Sequence, residues 1–213
     1  MKPDQQTFAL ADERPPGFTY SAPAGSAFPP VLDACCGSRM FWFDRKDTRT
    51  LFVDKRRETH LATDCSVRNG EREIVVDPDI VADFTALPFP DDTFQMVVFD
   101  PPHIQRNGDT SWLLKKYGVL RGNWRDMLRR GFAECFRVLR PQGTLIFKWN
   151  EIEVPLREIL ELTPEKPLFG HRTGKQAKTH WVAFLKQNAS GEFRRDSDVN
   201  STALLAVSES EDK

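Results

Sequence analysis

Phe94-Gln95-Met96-Val97-Val98-Phe99-Asp100-Pro101-Pro102-His103 joins an apolar, strand-like run to a rigid polar corner. The two prolines hold φ at about −65° and remove two backbone donors. The Asp100 carboxylate and the carbonyls of Asp100 and Pro101 are left as outward-facing acceptors. Such a corner suits a flat substrate that bears an amino group.

Comparable apolar runs recur along the chain. Val31-Leu32-Asp33-Ala34-Cys35 reads as a first strand, Thr50-Leu51-Phe52-Val53-Asp54 as a second, Ile80-Val81-Ala82-Asp83 as a weak third and Thr144 to Trp149 as a fifth after Phe94 to Phe99. Asn123 offers an N-cap and Asp126 an acidic third position; Met127, Leu128, Phe132, Cys135, Phe136 and Leu139 then repeat at helical spacing until Pro141-Gln142-Gly143. Ile152 to Leu162 reads as a further helix. Pro167-Leu168-Phe169-Gly170 and His180 to Leu185 lie too close for a crossover helix, so they are expected to run antiparallel. The expected fold is α/β: a Rossmann-like, seven-stranded, mostly parallel sheet flanked by helices, with an antiparallel C-terminal hairpin.

The 213 residues, 39% hydrophobic and 29% charged, suffice for one core. Residues 1–29 carry Pro15-Pro16-Gly17, Pro23 and Gly25 and read as a flexible lead-in; 30–186 form the domain; 187–213 alternate charge with Ser and Asn and read as a disordered tail. A net charge of −1 means that any nucleic-acid surface is local. No run of 18 apolar residues and no secretory leader is seen, so no membrane partner is expected and the cytoplasm is the expected compartment. Cys35, Cys36, Cys65 and Cys135 include no C-x-x-C, which argues against a metal site and a disulfide framework alike.

In an open α/β sheet ligands bind beyond the carboxyl ends of the strands, where strand order reverses. Three acids mark such ends. Asp33 precedes Cys35-Cys36-Gly37-Ser38, a turn into a helix where small residues let backbone donors approach a ligand. Asp54 ends the second strand, where a carboxylate can accept both hydroxyls of a ribose. Asp83 leads into Phe84, so an acid that receives an adenine amino group stands beside a ring that can cover the base.

The series Val31 to Gly37, Phe52-Val53-Asp54, Ala82 to Phe94, Asp100 to His103 and Leu139 to Leu145 resembles the class I S-adenosylmethionine-dependent methyltransferases, in family order over residues 31 to 186. The resemblance implies S-adenosyl-L-methionine as cofactor. It implies that Asp33 and Gly37 hold the methionine part, Asp54 the ribose, and Asp83 with Phe84 the adenine, with Ala34 and Cys36 as further cofactor contacts. Asp100-Pro101-Pro102-His103 looks like the Asp/Asn-Pro-Pro-aromatic signature of amino-methyltransferases acting on adenine N6, cytosine N4 or a glutamine amide, which implies catalytic roles for all four residues. His103 stands where Tyr, Phe or Trp is usual, and Cys35 where a glycine is usual.

Adenine N6 in DNA is the preferred acceptor; RNA, a protein amide or a small molecule are alternatives, and a non-catalytic cofactor-binding subunit is an alternative of another class. A nicotinamide dehydrogenase is disfavoured because Asp33 to Gly37 lacks a full G-x-G-x-x-G. Between His103 and Arg130, seven Lys or Arg face two Asp, with Trp112, Tyr117 and Trp124 interleaved, a mix able to track phosphates and stack bases of DNA or RNA. Arg106, Lys115, Trp112, Lys148, Trp149 and Arg172 are the expected substrate contacts, on two lips of one crevice. Residues 165 to 186 with Lys148-Trp149-Asn150 also resemble a pattern in small phage and prophage methyltransferases.

Overall fold

The computed structural model describes residues 27–63, 70–105, 118–120, 122–172 and 177–187, and of residues 62, 63 and 172 the backbone alone. The elements are β1 (Val31–Asp33), β2 (Thr50–Asp54), β3 (Glu58–Thr63), β4 (Glu71–Val76), β5 (Ile80–Val81), β6 (Phe94–Phe99), α1 (Trp124–Val138), β7 (Leu139–Asn150), α2 (Leu156–Leu160), β8 (Pro167–Arg172) and β9 (Thr179–Leu185). Seven strands form one sheet in the order β5-β2-β1-β6-β7-β9-β8, and β3 pairs with β4 in a separate hairpin. The pairs β5–β2, β2–β1, β1–β6 and β6–β7 are parallel, whereas β9 runs antiparallel to both β7 and β8. The expected fold class therefore holds. Strand order reverses between β1 and β6, which places the crevice over their carboxyl ends.

α1 forms as its sequence predicts. The Asn123 side chain accepts from the Asp126 amide, and Leu128, Phe132, Cys135 and Phe136 turn one buried stripe to the sheet. There the Phe132 ring lies 5.4 Å from Phe99 and 4.9 Å from Phe147, and Phe136 meets Phe184 edge-on at 5.8 Å. Phe28, within the segment expected to be a flexible lead-in, packs on the core against Phe89 and Phe94.

Three expectations need correction. No helix follows Gly37 among the described residues: 34–49 pass as turns, and Arg39 sits at a φ of 54° that no helix accepts. Side-chain anchoring overrides local propensity here, since Arg39 lies 3.9 Å over the Phe52 ring, Trp42 meets the same ring at 5.1 Å and Phe41 meets Trp181 at 5.4 Å. Second, the link from β2 to β5 contains the β3–β4 hairpin, two strands beyond those expected. Third, the expected helix over 152–162 shortens to Leu156–Leu160, because Pro155 takes an extended φ and ψ at its start.

The sheet ends at β8, whose ladder with β9 shifts register between Pro167 and Phe169 and whose Leu168 and Phe169 are 63% and 68% exposed. At the opposite extreme of packing, a Cβ built on Gly131 would meet Phe84 and Phe99 at 2.8 Å. Gly131→Ala is expected to lower the unfolding free energy by about 1–3 kcal/mol through overpacking, read as a lower urea midpoint.

Candidate active site

The parallel ladders bring the ends of β1, β2 and β6 together. Asp33 aligns with Phe52 on one neighbour and Val98 on the other, so Asp54 and Asp100 stand two residues further up the flanking strands. Ala82 donates to the Asp54 carbonyl at 3.1 Å, which sets Asp83 beside the same rim. Asp33, Gly37, Asp54, Asp83 and Asp100 thus converge on one end of the sheet.

Asp33 has no exposure to water, and burial raises its carboxyl pKa to about 7 against the opposing hydrogen bonds. Its Oδ2 accepts the Trp42 indole N–H at 2.7 Å and its Oδ1 the Cys35 amide at 3.3 Å. Asp54 Oδ2 accepts the Gly37 amide at 2.9 Å, while Oδ1 accepts the Arg56 amide at 2.9 Å and Arg56 Nε at 3.2 Å. Gly37 adopts a φ of 49°, the left-handed region that favours glycine. Asp83 Oδ1 accepts both the amide and the hydroxyl of Thr85.

The loop after β1 departs from expectation in one respect. Its amides are already committed inside the protein: Ala34 donates to the Val98 carbonyl, Cys36 to the Val53 carbonyl, and Cys35 and Gly37 to the two acids. A ligand at this loop meets carboxylates and carbonyls rather than a row of open N–H groups. Burial pushes the thiols of Cys35, Cys36 and Cys135 up, so they stay protonated and fill space.

The Phe84 ring is buried edge-on to Phe99 at 5.2 Å and therefore has no open face to cover a base, contrary to the sequence reading. Trp149 is likewise no substrate contact in this structure. It is fully buried, stacked on Phe147 and donating its indole N–H to the Val154 carbonyl, because its place in β7 turns it to the α1 side of the sheet. Lys148, one residue earlier, faces the opposite way and reaches the crevice, with Nζ 2.5 Å from Asp100 Oδ2.

Pro101 is buried, and Pro102 and His103 are half-buried. Desolvation lowers the His103 pKa, opposed by the Asp100 charge and by a hydrogen bond to the Pro101 backbone, so the ring is neutral at pH 7. Its ring lies 6.2 Å from Trp149, edge-on. The segment after the corner leaves at Ile104 and returns at Gly118. Leu120 donates to the Ile104 carbonyl at 2.8 Å, and a Cβ on Gly118 would touch Pro102 Cγ at 3.1 Å. Arg106, Trp112 and Lys115 lie outside the described residues between these two anchors, as does the side chain of Arg172.

Two residues that sequence reasoning missed complete the rim. Trp42 satisfies Asp33, and Arg56 links Asp54 to Glu58 Oε1 at 3.2 Å, with Glu58 Oε2 in turn 3.1 Å from His60 Nε2. The second had a signal: residues 54, 56, 58 and 60 alternate acid and base at strand spacing. No group of His, Cys, Asp and Glu among the described residues is arranged to hold a metal ion, and no described helix is long and apolar enough to cross a membrane.

Neither a family model nor a curated protein matches the chain. Among solved structures it is similar to the PH0226 protein of Pyrococcus horikoshii OT3, at 16% identity and a TM-score of 0.47 over 74% of this chain and 81% of that one. It is also similar to a SAM-dependent methyltransferase of Methanosarcina mazei, at 12% identity and 0.44 over 74% and 92%. A third is the 1,6-didemethyltoxoflavin-N1-methyltransferase of Burkholderia thailandensis, solved with S-adenosylhomocysteine, at 15% identity and 0.42 over 74% and 71%. At these values the likeness describes strand arrangement alone.

Asp33 gives the site a pH signature. Its folded pKa near 7 exceeds the 3.8 of an ordinary aspartic acid, so the native state holds a proton that the unfolded state releases, and stability falls as pH rises between those values. The wild type is expected to lose on the order of 4 kcal/mol relative to Asp33→Asn between pH 4 and 8, measured by denaturant unfolding at both pH values. Parallel curves for the two proteins would mean that the carboxyl is ionised in the fold throughout.

Proposed function

We propose that this chain is an S-adenosylmethionine-dependent methyltransferase that methylates an uncharged exocyclic amine, with adenine N6 in DNA as the preferred acceptor. The observation that carries the reading is the convergence of Asp33, Asp54 and Asp100-Pro101-Pro102-His103 at the carboxyl ends of three adjacent parallel strands. The acids fit the cofactor by chemistry. An amino acid ammonium and two ribose hydroxyls are donors, and Asp33 and Asp54 are acceptors now facing the Trp42 indole and the Arg56 side chain and amide.

Bound there, the cofactor supplies an electrophilic methyl group. Asp33 would hold the ammonium once the Trp42 indole gives way, Asp54 the ribose and Asp83 the adenine amine. Asp100 Oδ1 and the Pro101 carbonyl accept the two hydrogens of the substrate amine and aim its lone pair. A carbonyl oxygen has two lone pairs, so the His103 contact leaves Pro101 one for substrate. The amine nitrogen would bond to the methyl carbon as the carbon–sulfur bond breaks onto sulfur. The surplus N–H proton then passes to solvent, so no strong base is required.

Support for a nucleic acid comes from the basic and aromatic segment beyond His103, both of whose ends, Ile104 and Gly118 to Leu120, are fixed beside the corner. The committed loop amides favour a second reading, a cofactor-binding subunit without transfer activity. Radiolabelled methyl transfer to duplex DNA, RNA and protein separates the two: transfer to DNA that Asp100→Ala abolishes supports the enzyme, and cofactor binding without transfer to any acceptor supports the subunit. Asp54→Ala is expected to weaken cofactor binding by roughly 1–3 kcal/mol in calorimetric titration, and an unchanged dissociation constant removes Asp54 from the site.

A further inference from the structure

The acceptor corner does not present a bare carboxylate. Lys148 Nζ stands 2.5 Å from Asp100 Oδ2, and the two side chains are 18% and 16% exposed. The ammonium also lies 5.3 Å from the Phe41 ring centroid and 5.7 Å from that of Trp181, so two aromatic faces share its charge. This placement is built into the sheet. Phe99 aligns with Phe147 across β6 and β7, which sets the next residues, Asp100 and Lys148, side by side, and Lys148 pairs with Trp181 on β9.

A carboxylate alone attracts every amine, and an alkylammonium most strongly. With Lys148 against it, the corner is close to neutral overall, and an incoming cation meets a like charge at a distance where partly buried charges are poorly screened. Of the other acids nearby, the fully buried Asp33 has its pKa raised to about 7 and Asp54 is paired with Arg56 Nε at 3.2 Å, so neither brings a full free negative charge to the corner, while Glu153, whose charge reaches His103, accepts the Gln105 amide at 2.5 Å. Neutral donors lose nothing. A nucleobase amine or a carboxamide asks only for acceptors, which Asp100 Oδ1 and the Pro101 carbonyl provide.

We infer that Lys148 is a specificity-determining residue that admits neutral amines and amides to the corner and turns away alkylammonium groups. The inference rests on the methyltransferase reading above. It changes the role expected of Lys148, from a substrate contact to the counterion that sets the charge of the seat.

The test measures methyl transfer by wild type, Lys148→Met, Lys148→Gln and Lys148→Arg on neutral acceptors (duplex DNA, RNA and a glutamine peptide) and cationic ones (a lysine-rich peptide and spermidine). The wild type is expected to act on a neutral acceptor, and the ratio of kcat/KM for neutral over cationic acceptors is expected to fall at least about tenfold in Lys148→Met and Lys148→Gln. Lys148→Arg, which keeps the charge, is expected to stay within about threefold of wild type. An unchanged ratio, or an equal loss on both acceptor sets, overturns the role of Lys148 and leaves the methyltransferase reading standing, because a merely structural residue moves both sets together. A wild type that prefers cationic acceptors overturns it too. Transfer to neither set by the wild type overturns both statements at once.

Discussion

A carboxyl group with no exposure to water needs hydrogen-bond partners, and Asp33 finds them in the Trp42 indole and the Cys35 amide. Satisfying that acid draws the whole segment 34–49 down onto the sheet. Trp42 then rests edge-on against Phe52, Arg39 stacks over the same ring, and Phe41 continues the cover to Trp181. Arg39 finishes the tie by bonding the Asp77 carbonyl and Asp79, which fixes the entry to β5. One buried acid at the strand reversal thus organises a face of the sheet that lacks a described helix.

The opposite face follows the ordinary physics of apolar burial. Leu32, Val97, Leu145, Phe99 and Phe147 point to α1, and Gly131 lets Phe84 and Phe99 close against the helix backbone. Arg137 near the end of α1 binds the Leu87 and Phe89 carbonyls with Glu134 and Asp91, so the connection from β5 to β6 is clamped without secondary structure of its own. The two faces therefore solve the same burial problem differently, one with a helix stripe and one with stacked aromatic and guanidinium groups.

What the sequence made legible was whatever repeats locally. The runs at β1, β2, β6 and β7 are apolar for strand length, and α1 carries both a cap and a stripe, so each is visible in isolation. The β3–β4 hairpin escaped notice because Glu58-Thr59-His60 and Glu71-Arg72-Glu73 are polar, with only Ile74 and Val76 described as buried. Strand-end acids were legible as candidates, since their position follows from the runs. Their partners were not: nothing local to Asp33 or Asp100 says that Trp42 or Lys148 will reach it, and residues 48 apart meet only through the β6–β7 register. The inward turn of Trp149 is the same lesson in one residue, because strand parity decides which of two neighbours sees the crevice.

The register shift in β8 has a consequence for how this molecule lives among copies of itself. A boundary strand with a flat, regular outer edge is a template on which another chain can grow. Here a bulge between Pro167 and Phe169 breaks the spacing of that edge, and Pro167 offers it no amide hydrogen. Leu168 and Phe169 can then stand in water on an edge whose irregular backbone spacing works against growth of a further strand.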